Sequence, residues 1–140
     1  GGTPAGIAAL VGGVQEARGK AVRTIGYVPA RLPDGVELDA RYVEHRRTEG
    51  DGFSPLEPLQ GWLDALASGI DPAEVVLLGI DGGRIAAAEY RVALALGARV
   101  LVVEGSDREA DRLLTDRDWQ EADRLIRIPP DAEALRAALA

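Results

Sequence analysis

Hydrophobic positions along the chain follow two patterns, and the first of them predicts β-strands. Runs rich in Val, Ile and Leu that end at Gly or Pro are typical of strands. The predicted strands are Ala21–Val28, which Pro29 ends, a short Arg41–Arg46, Val75–Ile80, Arg99–Val103 and Arg124–Ile128. Because Val75–Ile80 and Arg99–Val103 are almost continuously apolar, these two strands are predicted to be covered on both faces.

The second pattern, apolar residues every three or four positions, predicts helices between the strands. Thr3 is a predicted N-cap with Pro4 in the first turn, and Ser54-Pro55 repeats that start. The second helix is predicted to end at Gly69 and to bury a stripe of leucines, namely Leu56, Leu59, Leu63 and Leu66. Further helices are predicted at about Arg84–Leu96, Asp107–Leu114 and Trp119–Ala122, and from Asp131 onward.

This alternation predicts an α/β fold in a single domain over residues 1–140, with a Rossmann-like parallel sheet and helices on both faces. In this class, ligands bind outside the carboxyl ends of the strands. The glycine-rich turns that open helices are therefore expected at the functional edge of the sheet.

Composition excludes several classes of site. The 140 residues contain sixteen Lys+Arg and twenty-three Asp+Glu, a net charge of −7, no Cys and one His. Disulfides, thiol nucleophiles and multi-histidine metal centres are thereby excluded, and neither a metal nor a cofactor is predicted. The acidic balance argues against a nucleic-acid partner. No apolar run is long enough for a membrane span and no signal peptide is visible, so we expect a cytoplasmic domain without membrane contact.

The run Asp81-Gly82-Gly83-Arg84 joins a buried strand to a helix. Glycine lets the backbone approach a ligand, and a helix N-terminus offers free N–H groups and a partial positive charge. Glu89, one to two turns further on, has no basic residue three or four positions away, and helical side chains lean toward the N-terminus. A phosphate site with Glu89 beside it is one interpretation; a plain tight turn and a solvated Glu are the other.

The chain opens on a second turn of this kind, Gly1-Gly2-Thr3-Pro4-Ala5-Gly6. The glycines bring the backbone close, Thr3 offers a hydroxyl, and Gly6 is predicted to let the helix pack tightly on a sheet. Such turns normally follow a buried strand. We therefore expect that an N-terminal portion is missing, the alternative being a flexible start with no role. Together the two turns predict a bipartite site for a nucleotide with two phosphates.

Three other groups of residues are interpreted as structural rather than functional. The basic patch Arg41–Arg47, which contains His45, is interpreted as solvated loop charge, with a phosphate-touching lid as the alternative. Trp62 and Trp119 are predicted to pack rather than to stack on a base. The charged run Asp107–Asp118 is interpreted as a solvated helix face because arginines alternate with its carboxylates.

Four runs of this sequence together resemble a known family: GGTPAGIAALVGG, IGYVPARLP, FSPLEPLQGW and LLGIDGGRIAAAEYRVALALGARVLVV. The chain resembles the SLOG superfamily over about residues 1–120, and within it the prokaryotic branch akin to the cytosolic N-terminal domain of TRPM channels, called LSDAT. The resemblance implies a Rossmann-like domain that binds a nucleotide derived from NAD, such as ADP-ribose or cyclic ADP-ribose. It also implies a strand, helix and strand ahead of the first glycine motif.

By position, the resemblance assigns two sets of ligand-binding residues. Gly1, Gly2, Thr3 and Gly6 would form the first turn and Gly82, Gly83 and Glu89 the second, with Pro29 bordering the pocket. Asp81 and Arg84, which flank the glycine pair, are predicted to bind the ligand as well. A related branch, the lysine-decarboxylase-like phosphoribohydrolases, cleaves nucleoside monophosphates with a Pro-Gly-Gly-x-Gly-Thr-x-x-Glu motif. Here Ile85 and Ala86 replace that motif's later glycine and its threonine, which disfavours an enzyme. Hydrolysis with Glu89 in acid–base catalysis remains the alternative, and a structural domain with a vestigial pocket is a third.

The partners expected from these arguments are a small nucleotide, a fused effector domain and a second copy of the chain. The expected self-association rests on an unpaired sheet edge, because such an edge offers free N–H and C=O groups to another strand.

Overall fold

The computed structural model describes residues 1–140 and confirms the α/β class with parallel strands. In chain order the elements are α1 (Gly6–Arg18), β1 (Ile25–Arg31), β2 (Glu44–Asp51), α2 (Leu56–Ala67), β3 (Val76–Ile80), α3 (Arg84–Leu96), β4 (Arg99–Val103), α4 (Glu109–Leu114), β5 (Leu125–Ile128) and α5 (Ala132–Leu139). Hydrogen bonds divide the strands between two parallel sheets, β1-β2 and β3-β4-β5. The chain forms two compact units, Gly1–Asp64 and Ala65–Ala140, and its description as a single domain stays a prediction.

In the first unit, β1 and β2 pair in register from Ile25 opposite Glu44 to Pro29 opposite Thr48. Pro29 does not end β1, as predicted, but lies buried inside it. A proline has no N–H to donate, and a sheet of two strands leaves each strand one unpaired edge where that N–H is not needed.

The two faces of the β1-β2 sheet are covered by different segments. A Cβ built on Gly26 would lie 2.8 Å from Cα of Gly2, so the N-terminal turn covers one face. A Cβ built on Gly61 of α2 would lie 3.4 Å from the Tyr27 ring. Because consecutive strand residues point to opposite faces, α2 covers the other face.

The α2 helix faces this sheet with its polar side, so the predicted burial of its leucines is wrong. Leu56, Leu59, Leu63 and Leu66 are 42–52% exposed. The buried residues of α2 are instead Glu57 and Trp62, the latter packed as predicted. Glu57 accepts hydrogen bonds from the Thr48 hydroxyl and, at 2.6 Å, from the Ser54 N–H. Ser54 Oγ in turn accepts from the Leu56 N–H at 3.2 Å. These bonds hold the start of α2, and they explain why the polar side faces inward.

A second set of hydrogen bonds holds α2 near its other end. The Tyr27 hydroxyl donates to Asp64 Oδ2 at 2.7 Å, and Arg46 Nη1 donates to the same oxygen at 2.8 Å. Gln60 donates to Asp64 Oδ1 at 2.7 Å. The hydrogen bonds from Tyr27 and Arg46 lower the pKa of Asp64 to about 2.

In the second unit, β4 lies between β3 and β5 and supplies the core. Val100, Leu101 and Val102 are fully buried there. Val76 and Leu78 of β3 remain 38% and 37% exposed, which corrects the prediction that β3 is covered on both faces. The two residues share one face of β3, and as an edge strand β3 has a neighbouring strand on one side only, so this face is less well covered than that of the central strand.

Most predicted boundaries in this unit are close to the observed ones. The α3 helix spans the predicted range and ends at Gly97, whose φ of 93° places it in the left-handed region. Asp131 caps α5 by accepting from the N–H groups of Glu133 and Ala134. The segment predicted as a helix at Trp119–Ala122 is a series of turns. None of the helices combines the length and apolar character that crossing a membrane requires.

Candidate functional site

The turn between β3 and α3 is the best-defined candidate site in the second unit. Asp81 and Gly82 both have left-handed backbone, with φ of 61° and 94°. A Cβ on Gly82 would lie 2.7 Å from Oη of Tyr90 and 2.8 Å from Cβ of Ala86. Glycine is therefore required at position 82 for two reasons: its left-handed φ and the close packing of the turn against α3. A non-glycine residue such as Asp81 in this region stores strain, a feature that clusters at functional sites.

Gly83 has a different role from its neighbour. It is the N-cap of α3, with extended backbone (φ −112°) and no side-chain cap. A Cβ placed there would meet only Arg108 Nη2, at 3.8 Å. Packing does not demand this glycine, and no side chain caps the first turn of this 13-residue helix. Uncapped N–H groups at such a position carry a partial positive charge.

Arg108 is the residue that sequence reasoning missed. Its guanidinium lies beside Gly83, and its Nε is 3.4 Å from Oδ1 of Asp81. The side chain is 59% exposed, so it is available to an anion. The signal that could have found it is its position after β4, because turns after neighbouring parallel strands meet at one edge.

The turn after β4 offers its own N–H groups to a carboxylate of the protein. Asp111 accepts hydrogen bonds from the N–H groups of Gly105 at 2.9 Å and Asp107 at 2.5 Å. The Ser106 hydroxyl adds a third at 3.2 Å. Led by the bond from Gly105, these contacts lower the pKa of Asp111. An anion of the protein thus already occupies this turn, whereas the start of α3 has no such occupant.

Glu89 and Tyr90 of α3 are both desolvated. Glu89 is partly buried and makes no hydrogen bond or ion pair within its unit, and burial raises the pKa of its carboxyl. Tyr90 is 4% exposed, and burial raises the pKa of its phenol to about 12. That Glu89 points back at the glycine turn stays a prediction. Arg84, also predicted in the site, is exposed at the start of α3.

The N-terminal turn is a packed structure in the first unit. Gly2 is buried with a φ of 127°, and its carbonyl accepts from the Asp39 N–H at 2.9 Å and lies 3.0 Å from His45 Nε2. The Gly1 amino group donates to the Tyr27 carbonyl at 3.3 Å. A Cβ built on Gly26 would lie 2.8 Å from Cα of Gly2. The absence of side chains at these two glycines therefore permits close contact between the two backbone segments. His45 thereby supports the turn.

Two local predictions for the start of α1 are wrong. Thr3 is not the cap, because α1 begins at Gly6 with Ala5 as its N-cap and no side-chain cap. Gly6 does not serve close packing either, since a Cβ there would meet nothing within 4 Å. Its φ of 55° is the reason for glycine. The assignment of Gly1, Gly2, Thr3, Gly6 and Pro29 to a ligand pocket, and the union of both turns in one bipartite site, stay predictions.

The chain thus has an α/β fold in which a parallel strand is followed by a helix whose N-cap is glycine and whose N-terminus has no side-chain cap. No group of His, Asp or Glu residues is placed to hold a metal ion. The family model described as SLOG in TRPM, prokaryote, matches residues 1–138. The chain belongs to this family, as the sequence motifs predicted. Comparison with curated proteins gave no significant match. Membership in the family indicates a ligand-binding or nucleotide-related role.

Proposed function

We propose that this chain is a ligand-sensing domain that binds a nucleotide derived from NAD, such as ADP-ribose or cyclic ADP-ribose. Family membership supports a nucleotide-related role. The observation that carries the proposal is the uncapped start of α3, edged by Gly83 and flanked by Arg108. Main-chain N–H groups and one guanidinium together bind a phosphate without a basic cluster, which suits a chain of net charge −7.

Glu89 supplies the second half of the proposed recognition. Burial removes water from its carboxylate and raises its pKa. Ribose hydroxyls that donate to it would restore hydrogen bonds to a desolvated acceptor, and such bonds to charged groups are worth about 1.5–3 kcal/mol each. The proposed ligand therefore carries a ribose next to its phosphate.

One observation favours the alternative, a phosphoribohydrolase. A carboxyl whose pKa is raised by burial suits general acid catalysis, and Glu89 is such a group. The turn nevertheless has Ile85 and Ala86 where the enzymatic branch has glycine and threonine. The sensor is therefore the preferred function.

Calorimetry with ADP-ribose and with AMP, followed by chromatography of the products, tests the proposal. Binding without turnover is expected. Arg108→Gln should weaken binding about tenfold or more, since it removes a charged hydrogen bond. Arg117→Gln, an exposed arginine in the turns after α4, is the matched control and should bind normally. Release of free base would establish the alternative, and no binding by folded protein would refute both.

A further inference from the structure

The α2 helix presents a continuous leucine surface outward. Leu56, Leu59, Leu63 and Leu66 are spaced by three, four and three residues and are 45%, 47%, 52% and 42% exposed. We call these four residues the leucine seam. Alternating spacings of three and four place side chains in one line along a helix, which is the pattern of two helices that pack in a coiled-coil manner.

We propose that the leucine seam is a self-association surface, on which α2 of a second copy of this chain packs. The charges of α2 support a second copy as the occupant. Its only two charged residues, Glu57 and Asp64, are turned to the sheet, where Thr48 and Tyr27 donate to them. The positions beside the seam are uncharged, including Gln60 and Ala67.

This neutrality matters because the chain carries a net charge of −7. Two copies carry the same net negative charge, and this disfavours their association. Along the seam they bring only apolar side chains together. A charged partner would find no opposite charge there, whereas an identical seam offers the same spacing and the same leucines. The surface is therefore complementary to itself, as a two-fold symmetric interface requires.

The expected interface is small. Covering the exposed halves of four leucines and the residues beside them on each copy buries on the order of 800–1,000 Å² in total, which is below the roughly 1,200 Å² of stable specific interfaces and typical of weak, transient ones. We therefore expect a weak dimer in reversible exchange with the monomer. The α1 helix has a shorter apolar stripe over Ile7–Val14, which two glycines interrupt. It provides the matched control.

Sedimentation equilibrium over a concentration series tests the proposal. The mass should rise from that of one chain, 14.8 kDa, toward twice that value between roughly 10 µM and 1 mM. Leu63→Lys should hold the mass at one chain, while Leu10→Lys on α1, at a leucine that is 62% exposed, should leave the rise unchanged. Far-UV circular dichroism verifies that both variants are folded.

Two results would overturn the proposal. One is a wild-type mass of a single chain at every concentration. The other is a dimer that survives Leu63→Lys, or that Leu10→Lys abolishes, because either result places the interface elsewhere. If Leu63→Lys proves unfolded, Leu59→Gln replaces it as a milder change on the same seam.

Discussion

Adding one methyl group to each of two adjacent glycines should have very different consequences for stability. Gly82→Ala forces a side chain into a left-handed backbone of φ 94°, at a cost of about 1–3 kcal/mol. The new Cβ would also lie 2.7 Å from Tyr90 Oη and 2.8 Å from Ala86 Cβ, and relieving such overlap costs about 1–3 kcal/mol. The free energy of unfolding should fall by about 3–5 kcal/mol, a large part of a typical total of about 5–15 kcal/mol.

Gly83→Ala is the control and should be nearly neutral. Its backbone is extended, and the nearest atom to the new Cβ is 3.8 Å away. Loss of glycine at an N-cap costs about 0.5 kcal/mol, while the stiffer unfolded chain returns about 0.4–1 kcal/mol. Urea titrations followed by circular dichroism measure both variants. Equal stabilities for the two variants would refute the assignment of different roles to Gly82 and Gly83.

Four further substitutions test the contacts in each unit. Gly12→Ala places a methyl group against the buried Asp39 carboxylate and should destabilise the protein by about 2 kcal/mol. The Cβ of Gly13→Ala stays 3.8 Å from its nearest neighbour, so this variant should be more stable by about 0.5–1 kcal/mol. Urea titration distinguishes the two. The wild type should lose stability as the pH falls from about 4 to about 2, because the folded pKa of Asp64 lies below its ordinary value of 3.8. The variant Asp64→Asn should not show this loss. Glu89→Gln should stabilise the protein at pH 7 but not at pH values below the ordinary value of 4.5, because burial raises the folded pKa and penalises the charged form; unchanged stability at pH 7 would contradict the stated desolvation.

The extent of α3 could be predicted because glycines mark both of its ends and its apolar spacing is regular. The orientation of α2 could not. Its leucine spacing predicts burial, but Glu57 and Asp64 find hydrogen-bond partners on the sheet, and those partners become visible only when β1 and β2 pair. Local pattern alone therefore selected the wrong face.

The candidate site shows the same limit. The two glycines of the α3 turn were identifiable from their place between a strand and a helix, yet nothing in the sequence separates the packing role of Gly82 from the open position of Gly83. Arg108 lies 25 residues after Gly83 in a run of alternating charges. Its proximity to Gly83 arises because β3 and β4 are neighbours in the sheet, a fact of strand order rather than of local sequence.

The central claim, that the uncapped start of α3 holds the phosphate of a nucleotide, is tested most directly by nuclear magnetic resonance. Titration of ¹⁵N-labelled protein with ADP-ribose should shift the amide signals of Arg84, Ile85 and Ala86 most strongly, and Gly83→Ala should reduce these shifts without unfolding the protein. Saturable binding that leaves all three amide signals in place would contradict the account.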